Sequence, residues 1–203
     1  MPVPRWLAVG ALGVCCAHAG AAVTSYATPA ALEAGVGGPL FVVPDDGLPV
    51  GTMYGTGGGV GIPLGTPFGP MSFAPVHDKV APGVYHPFVP FALAGSDIIA
   101  PSGAIALDFM FTTLFHGSFV ITAVGSMTMS DPVELMGLVP GVPVYVGFGA
   151  AGETIDLITI ETAPFGATPP FTWEVGAIRV LPAPGALAGL AFGGLCLAGR
   201  RRR

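Results

Sequence analysis

A handful of side chains in this chain could do chemistry, and their spacing says which chemistry. Asp108 and Asp156 each stand inside an otherwise apolar run, and two carboxylates brought together from distant strands are what glycoside hydrolysis requires. Each falls on the polar side of its alternating segment, which predicts a solvent-facing carboxylate with no catalytic role. Past the first 22 residues the histidines are His77, His86 and His116. None belongs to an HExxH pattern and none has a cysteine partner, so no zinc ligand set is proposed. His77-Asp78 reads as a solvated turn. No Gly-x-Ser-x-Gly elbow occurs, which removes that serine-hydrolase signature. The run GTGGGVG from Gly55 to Gly61 has Val60 where a dinucleotide fingerprint needs its third glycine, and the single lysine, Lys79, lies far outside it. It reads as a surface loop rather than a phosphate cradle. Asp45-Asp46-Gly47 lacks the spaced acids and distal Glu of an EF-hand, so a turn is favoured over a calcium site. Trp173, Tyr85 and Tyr145 carry rings that could stack on sugars, but Trp173 sits in a core-type strand. With no Asn or Gln anywhere, the usual amide partners of sugar hydroxyls are missing. No catalytic residue, cofactor or metal site is expected.

The elements that must position these residues are strands. The 203 residues include 32 Gly and 22 Pro, while hydrophobic residues make up 52% and charged residues 9%. That much hydrophobicity opposes the low-hydropathy, high-charge signature of disorder. So many helix breakers make long helices costly. Short extended segments bounded by Gly, Pro and Asp recur from Met71 onward, the spacing of an antiparallel sandwich or barrel. The expected fold is all-β: an antiparallel, jelly-roll-like β-sandwich over 23–180, irregular and Gly/Pro-rich over 36–70, with helix confined to the two terminal segments. Ile105–Phe115 and Phe119–Met129 are expected to form a hairpin through His116-Gly117. A second hairpin is expected through Gly152, and Ile155–Ile160 and Trp173–Val180 are expected to be the last core strands.

The two ends carry a different kind of signal. Arg5, the apolar run Trp6–Cys16 and the Ala-x-Ala spacing at Ala17-His18-Ala19 and Ala19-Gly20-Ala21 make residues 1–22 a secretory signal peptide. At the other end, Pro182-Ala183-Pro184 precedes the 15 uncharged residues 185–199 and the cluster Arg200, Arg201, Arg202 and Arg203. Fifteen residues span about 22 Å as a helix, short of a hydrocarbon core of roughly 30 Å. The arginines would stay on the cytoplasmic side. Between the two ends stand two basic residues, Lys79 and Arg179, against 12 acidic ones, a net charge of −10. Such a body is not drawn to nucleic acid or to anionic lipid.

Residues 181–203 resemble the C-terminal sorting domain of PEP-CTERM proteins: a Pro-x-Pro signature, here with Ala183 in place of the central Glu, then a short apolar helix and terminal arginines. The resemblance covers about Val180 to Arg203, some 24 residues, with the signal peptide as its usual companion. It implies recognition of Pro182, Ala183, Pro184 and Arg200–Arg203 by an exosortase, a membrane processing enzyme, with membrane contact through 185–199 beforehand. It further implies delivery to the envelope, cell surface or extracellular matrix of a Gram-negative-type bacterium. The expectation is a non-catalytic exported surface protein. The alternatives are a carbohydrate-binding module for extracellular polysaccharide at the same address and, third, a secreted hydrolase.

Overall fold

The computed structural model describes residues 22–55, 61–87, 96–162 and 173–184. In chain order the elements are β1 (Ala22–Tyr26), α1 (Pro29–Val36), β2 (Phe41–Val42), β3 (Met53–Tyr54), β4 (Leu64–Thr66), β5 (Gly69–Ala74), β6 (His77–Ala81), β7 (Val84–Pro87), β8 (Ser96–Ile99), β9 (Ala104–Thr113), β10 (Phe119–Gly125), β11 (Val133–Leu135), β12 (Val144–Ala151), β13 (Ile155–Thr162) and β14 (Trp173–Pro182). They form two antiparallel sheets. One runs β1-β12-β9-β14-β7-β6-β3, with β2 also on β14; the other runs β11-β10-β13-β8-β5-β4. A single core joins them: Leu107, Phe109, Phe111, Trp173, Val175 and Val180 from the first sheet lie with Phe73, Ile98, Phe119, Ile121, Ile158 and Ile160 from the second. Along each strand these residues alternate with ones on the opposite face, as two stacked sheets require, and on β9 that outer face is buried as well at Ala106 and Asp108.

The pairing follows a nested ribbon. β10 pairs with β11, β9 with β12, β8 with β13 and β7 with β14, so the chain doubles back on itself about the β10–β11 connection. Rolling that ribbon brings β14 against β9 and β13 against β10.

This corrects both expected hairpins. β9 and β10 lie in opposite sheets, because β9 already has β12 on one side and β14 on the other and offers no free edge. The chain crosses at Leu114–Ser118, where the Thr113 hydroxyl donates to the Phe115 carbonyl at 2.5 Å. The rings of Phe111 and Phe119 meet edge-on at 4.9 Å. β12 and β13 are likewise split between sheets across Gly152.

The expectation of helix only at the termini is corrected too, by α1. Thr28 caps it by accepting from the Ala31 amide at 3.2 Å, Pro29 opens the first turn, and Gly37 closes it in the left-handed region with φ 77°. Those are ordinary start and stop signals. The helix lies on the outer face of the first sheet, where Leu32 packs with Leu40, Ala106 and Leu181. Gly149 of β12 makes room for it, since a Cβ there would stand 2.6 Å from Val36. The 36–70 stretch is sparse in structure as expected, but it contributes β2, β3 and β4 to the sheets.

β14 runs past Val180. Leu181 pairs with Ala106 and Pro182 with Ala104, and the Ala183 amide donates to the Gly103 carbonyl at 2.8 Å. Residues 1–21, the apolar run 185–199 and Arg200–Arg203 lie outside the described residues. Among the described residues, no helix is long and apolar enough to cross a membrane.

Candidate functional site

Asp108 is not the solvent-facing carboxylate its alternation suggests. It does sit on the outer face of β9, but that face is covered, and Asp108 is 1% exposed. Arg179, its register partner on β14, grips it with two bonds: Nε to Oδ1 at 3.0 Å and Nη2 to Oδ2 at 2.5 Å. Tyr145 of β12 donates its hydroxyl to Oδ2 at 3.0 Å. The remaining guanidinium arm reaches Glu33 of α1 at 2.8 Å. The bonds to Asp108 hold the Arg179 guanidinium above its usual pKa despite the opposing effect of burial. Burial, followed by the Asp108 charge, pushes the Tyr145 phenol up. The carboxylate thus accepts three bonds in a fork that suits a guanidinium. This arrangement does not free a proton for acid or base chemistry; it fastens α1 and three strands together.

A second clasp stands on the inner face of the same sheet. Lys79 of β6 is 1% exposed and faces Tyr85 of β7, which faces Val175 of β14. Its ammonium meets Asp45, Asp46 at 3.0 Å and the Leu48 carbonyl at 2.7 Å. Asp45 also accepts from the Gly83 amide at 3.2 Å, and Asp46 from the Leu48 amide at 3.0 Å and from the Tyr54 hydroxyl. Lys79 draws the Asp45 carboxyl below its usual range. For Asp46 burial works the other way, but the bonds from Tyr54, Leu48 and Lys79 outweigh it and the carboxyl is again held low. Burial pushes the Tyr85 phenol up to about 12. Asp45-Asp46-Gly47 is therefore the cover over a buried lysine, and its oxygens are occupied by donors of the chain itself.

His77 is corrected from a solvated turn to a core residue. It lies in β6, fully buried, stacked on Phe73 at 4.4 Å and edge-on to Trp173 at 5.4 Å. Its Nδ1 bonds the Pro75 carbonyl at 2.9 Å and its Nε2 lies 3.4 Å from the Ser96 hydroxyl. Burial lowers its pKa to about 4, so it is neutral at pH 7. His86 contacts Asp78 at 3.2 Å, and His116 is exposed on the β9–β10 connection. The three histidines thus do not converge. Asp156 is exposed as expected and accepts from the Thr154 hydroxyl at 3.2 Å, apart from the Asp108 clasp.

Glu153 carries no signal that sequence spacing would single out. It is buried, and its carboxylate accepts from the Met127 and Thr128 amides at 2.8 and 2.9 Å and from the Thr128 hydroxyl. Those bonds outweigh the effect of burial and hold its carboxyl below the usual range. Thr128 in turn accepts from the Val23 amide at 3.2 Å, so Glu153 ties the ribbon tip to β1.

Among the described residues, no group of three or more His, Cys, Asp or Glu side chains could hold a metal ion. At the start of the glycine run, the Gly55 amide donates to the Ile62 carbonyl at 3.0 Å, and residues 56–60 lie outside the described residues. Trp173 and Tyr85 are buried; the exposed Phe41 meets Phe68 at an interplanar angle of 61°, which is not a flat platform for a sugar. A cleft of about 400 Å³ opens where β14 bulges at Ala177, a non-glycine residue at φ 49°, between Val42 and Val43 on one side and Pro82–Val84 on the other. Its one carboxylate, Asp45, is taken by Lys79. Of the residues expected to form the sorting signature, Pro182 is buried in the sheet, Ala183 is half-buried and Pro184 is exposed. Comparison with known families, with curated proteins and with solved structures finds no match.

Proposed function

We propose that this chain is a non-catalytic exported protein: a jelly-roll-like sandwich delivered to the cell surface or extracellular matrix by its C-terminal sorting segment. The observation that carries the reading is the order of parts at the C-terminus. The last core strand runs directly into Pro182-Ala183-Pro184, with the short apolar run and four arginines behind it. An exosortase-type membrane enzyme is the partner this order calls for, and extracellular polysaccharide is the matrix the body would meet. The jelly-roll assignment is supported by the strand order β7-β14-β9-β12 in one sheet and β8-β13-β10-β11 in the other, the arrangement produced by rolling a four-pair ribbon.

The non-catalytic reading is supported by how the reactive side chains are spent. Arg179, Asp108, Lys79, Asp45 and Asp46 bond one another, and His77 is packed among rings. The body has no further lysine or arginine, so the surface charge is acidic, which suits a solvated exported domain. The test is cell fractionation of the native host with an antiserum to the body. The body is expected at the cell surface without the intact 185–203 segment, and the variant with Arg200–Arg203 changed to Ser is expected to be exported yet unprocessed. Recovery of the full chain from the cytosol overturns the reading.

A further inference from the structure

The sheet ends inside the segment that the sorting reading assigns to the processing enzyme, and this limits where the chain can be cut. Leu181 is buried with Leu32, Leu40 and Ala106 beneath α1. Pro182 is buried and paired with Ala104. Proline has no amide hydrogen to donate, so the last bond the sheet makes comes one residue later, from the Ala183 amide to the Gly103 carbonyl at 2.8 Å. Pro184 is exposed. A protease takes its substrate as an extended strand and pairs with its backbone, much as a peptide adds to a sheet edge. β14 pairs with β9 on either side of a bulge at Ala177–Ile178, and Arg179, Val180, Leu181 and Pro182 stand in register with Asp108, Leu107, Ala106 and Ala104. Cutting at Leu181-Pro182 or Pro182-Ala183 would require the end of a central strand to leave the sheet and Leu181 to leave its cluster.

Resting on the sorting reading, we infer that the upstream limit of processing is Ala183: the cut bond is Ala183-Pro184 or a later one, and β14 stays whole in the product. In that step the peptide bond breaks, water supplies hydroxyl to the new carboxyl end, and the leaving amine of the tail takes the proton.

Two measurements on the full-length chain test this. The first is the intact mass of the body recovered from the surface of the native host. A C-terminus at Ala183 or beyond, with the arginines gone, is expected; one at Pro182 or earlier overturns the limit alone, while a chain still ending at Arg203 overturns the sorting reading and the limit with it. The second uses proteinase K on the purified full chain, so that no processing enzyme is involved. Its protected core is expected to retain Pro182 and Ala183, and a core ending within 173–182 overturns the shielding. A chain with Gly-Ser-Gly-Ser inserted between Ala183 and Pro184 should still yield no terminus before Ala183 in either measurement. A terminus moved upstream by that insertion also overturns the limit.

Discussion

The two clasps invert one another. On the outer face the carboxylate is buried and the cation reaches the solvent: Asp108 is 1% exposed and the Arg179 side chain 22%. On the inner face the cation is buried, Lys79 at 1%, and its carboxylates reach out, Asp45 at 35% and Asp46 at 20%. Both fasten a segment to the first sheet, α1 in one case and the loop from Asp45 to Leu48 in the other. The difference lies in what is stranded when a partner is lost. Without Arg179, a carboxylate inside the protein keeps only the Tyr145 hydroxyl. Without Lys79, two carboxylates remain that water already touches.

The largest effect is therefore expected from Arg179→Leu. Removing one partner of a buried pair costs about 3 to 5 kcal/mol, measured as the shift in urea unfolding of the body. Adding Asp108→Leu to that variant should recover most of the loss, since replacing both partners by apolar groups removes the stranded charge. A double variant no more stable than the single one breaks the assignment of Asp108 as the stranded group.

Acidification gives the next effect and separates β6 from the clasps. His77 is held neutral with its pKa lowered from 6.5 to about 4, so the unfolded chain binds the extra proton between those values. Stability is then full above pH 6.5 and is lost as the pH falls toward 4, by about 2 kcal/mol between pH 7 and 4.5. The Asp45 and Asp46 carboxyls, held low, keep their charge in that window. Unfolding of His77→Phe at both pH values should show most of this slope removed; an unchanged slope assigns the acid sensitivity elsewhere.

Lys79→Met should be milder and local. The strands stay paired and the 43–51 loop loosens, which limited proteolysis would register as a new cut between Val43 and Gly51. If that variant unfolds as completely as Arg179→Leu, the contrast between the clasps fails. The smallest effect is expected from Asp156→Ser, within about 0.5 kcal/mol, as for an exposed side chain with one local bond.

How far the sequence could be read follows from the range of the forces involved. Strands were legible because alternation and turn residues are local, and the buried Trp173 and exposed Asp156 follow from the same pattern. The face of Asp108 was legible as well, but its cover was not, since Arg179 and Glu33 lie 71 and 75 positions away. One signal was available: residues 23–180 carry only two cations and place one of them inside the apolar segment AIRVLP, where a charge needs a partner. The short α1 had its caps in plain view at Thr28, Pro29 and Gly37, but the glycine and proline content of the whole chain outweighed them. The hairpin expected for β9 and β10 fails for a topological reason. Successive strands on one arm of the nested ribbon, such as β9 and β10, are split between the two sheets by the roll, and no local residue pattern records that.

The position of β14 also sets when this protein can fold. Among the strands of the described residues it comes last in the chain, yet it lies between β9 and β7 in the middle of its sheet. Until residues 173–182 have emerged, β9 and β7 lack the strand that joins them and the first sheet stays in two pieces, so the two-sheet core cannot be completed, whatever pairing the second sheet has reached. Its many long-range pairings make the closing step slow as well. A chain of this design goes without its finished core until that strand has been made.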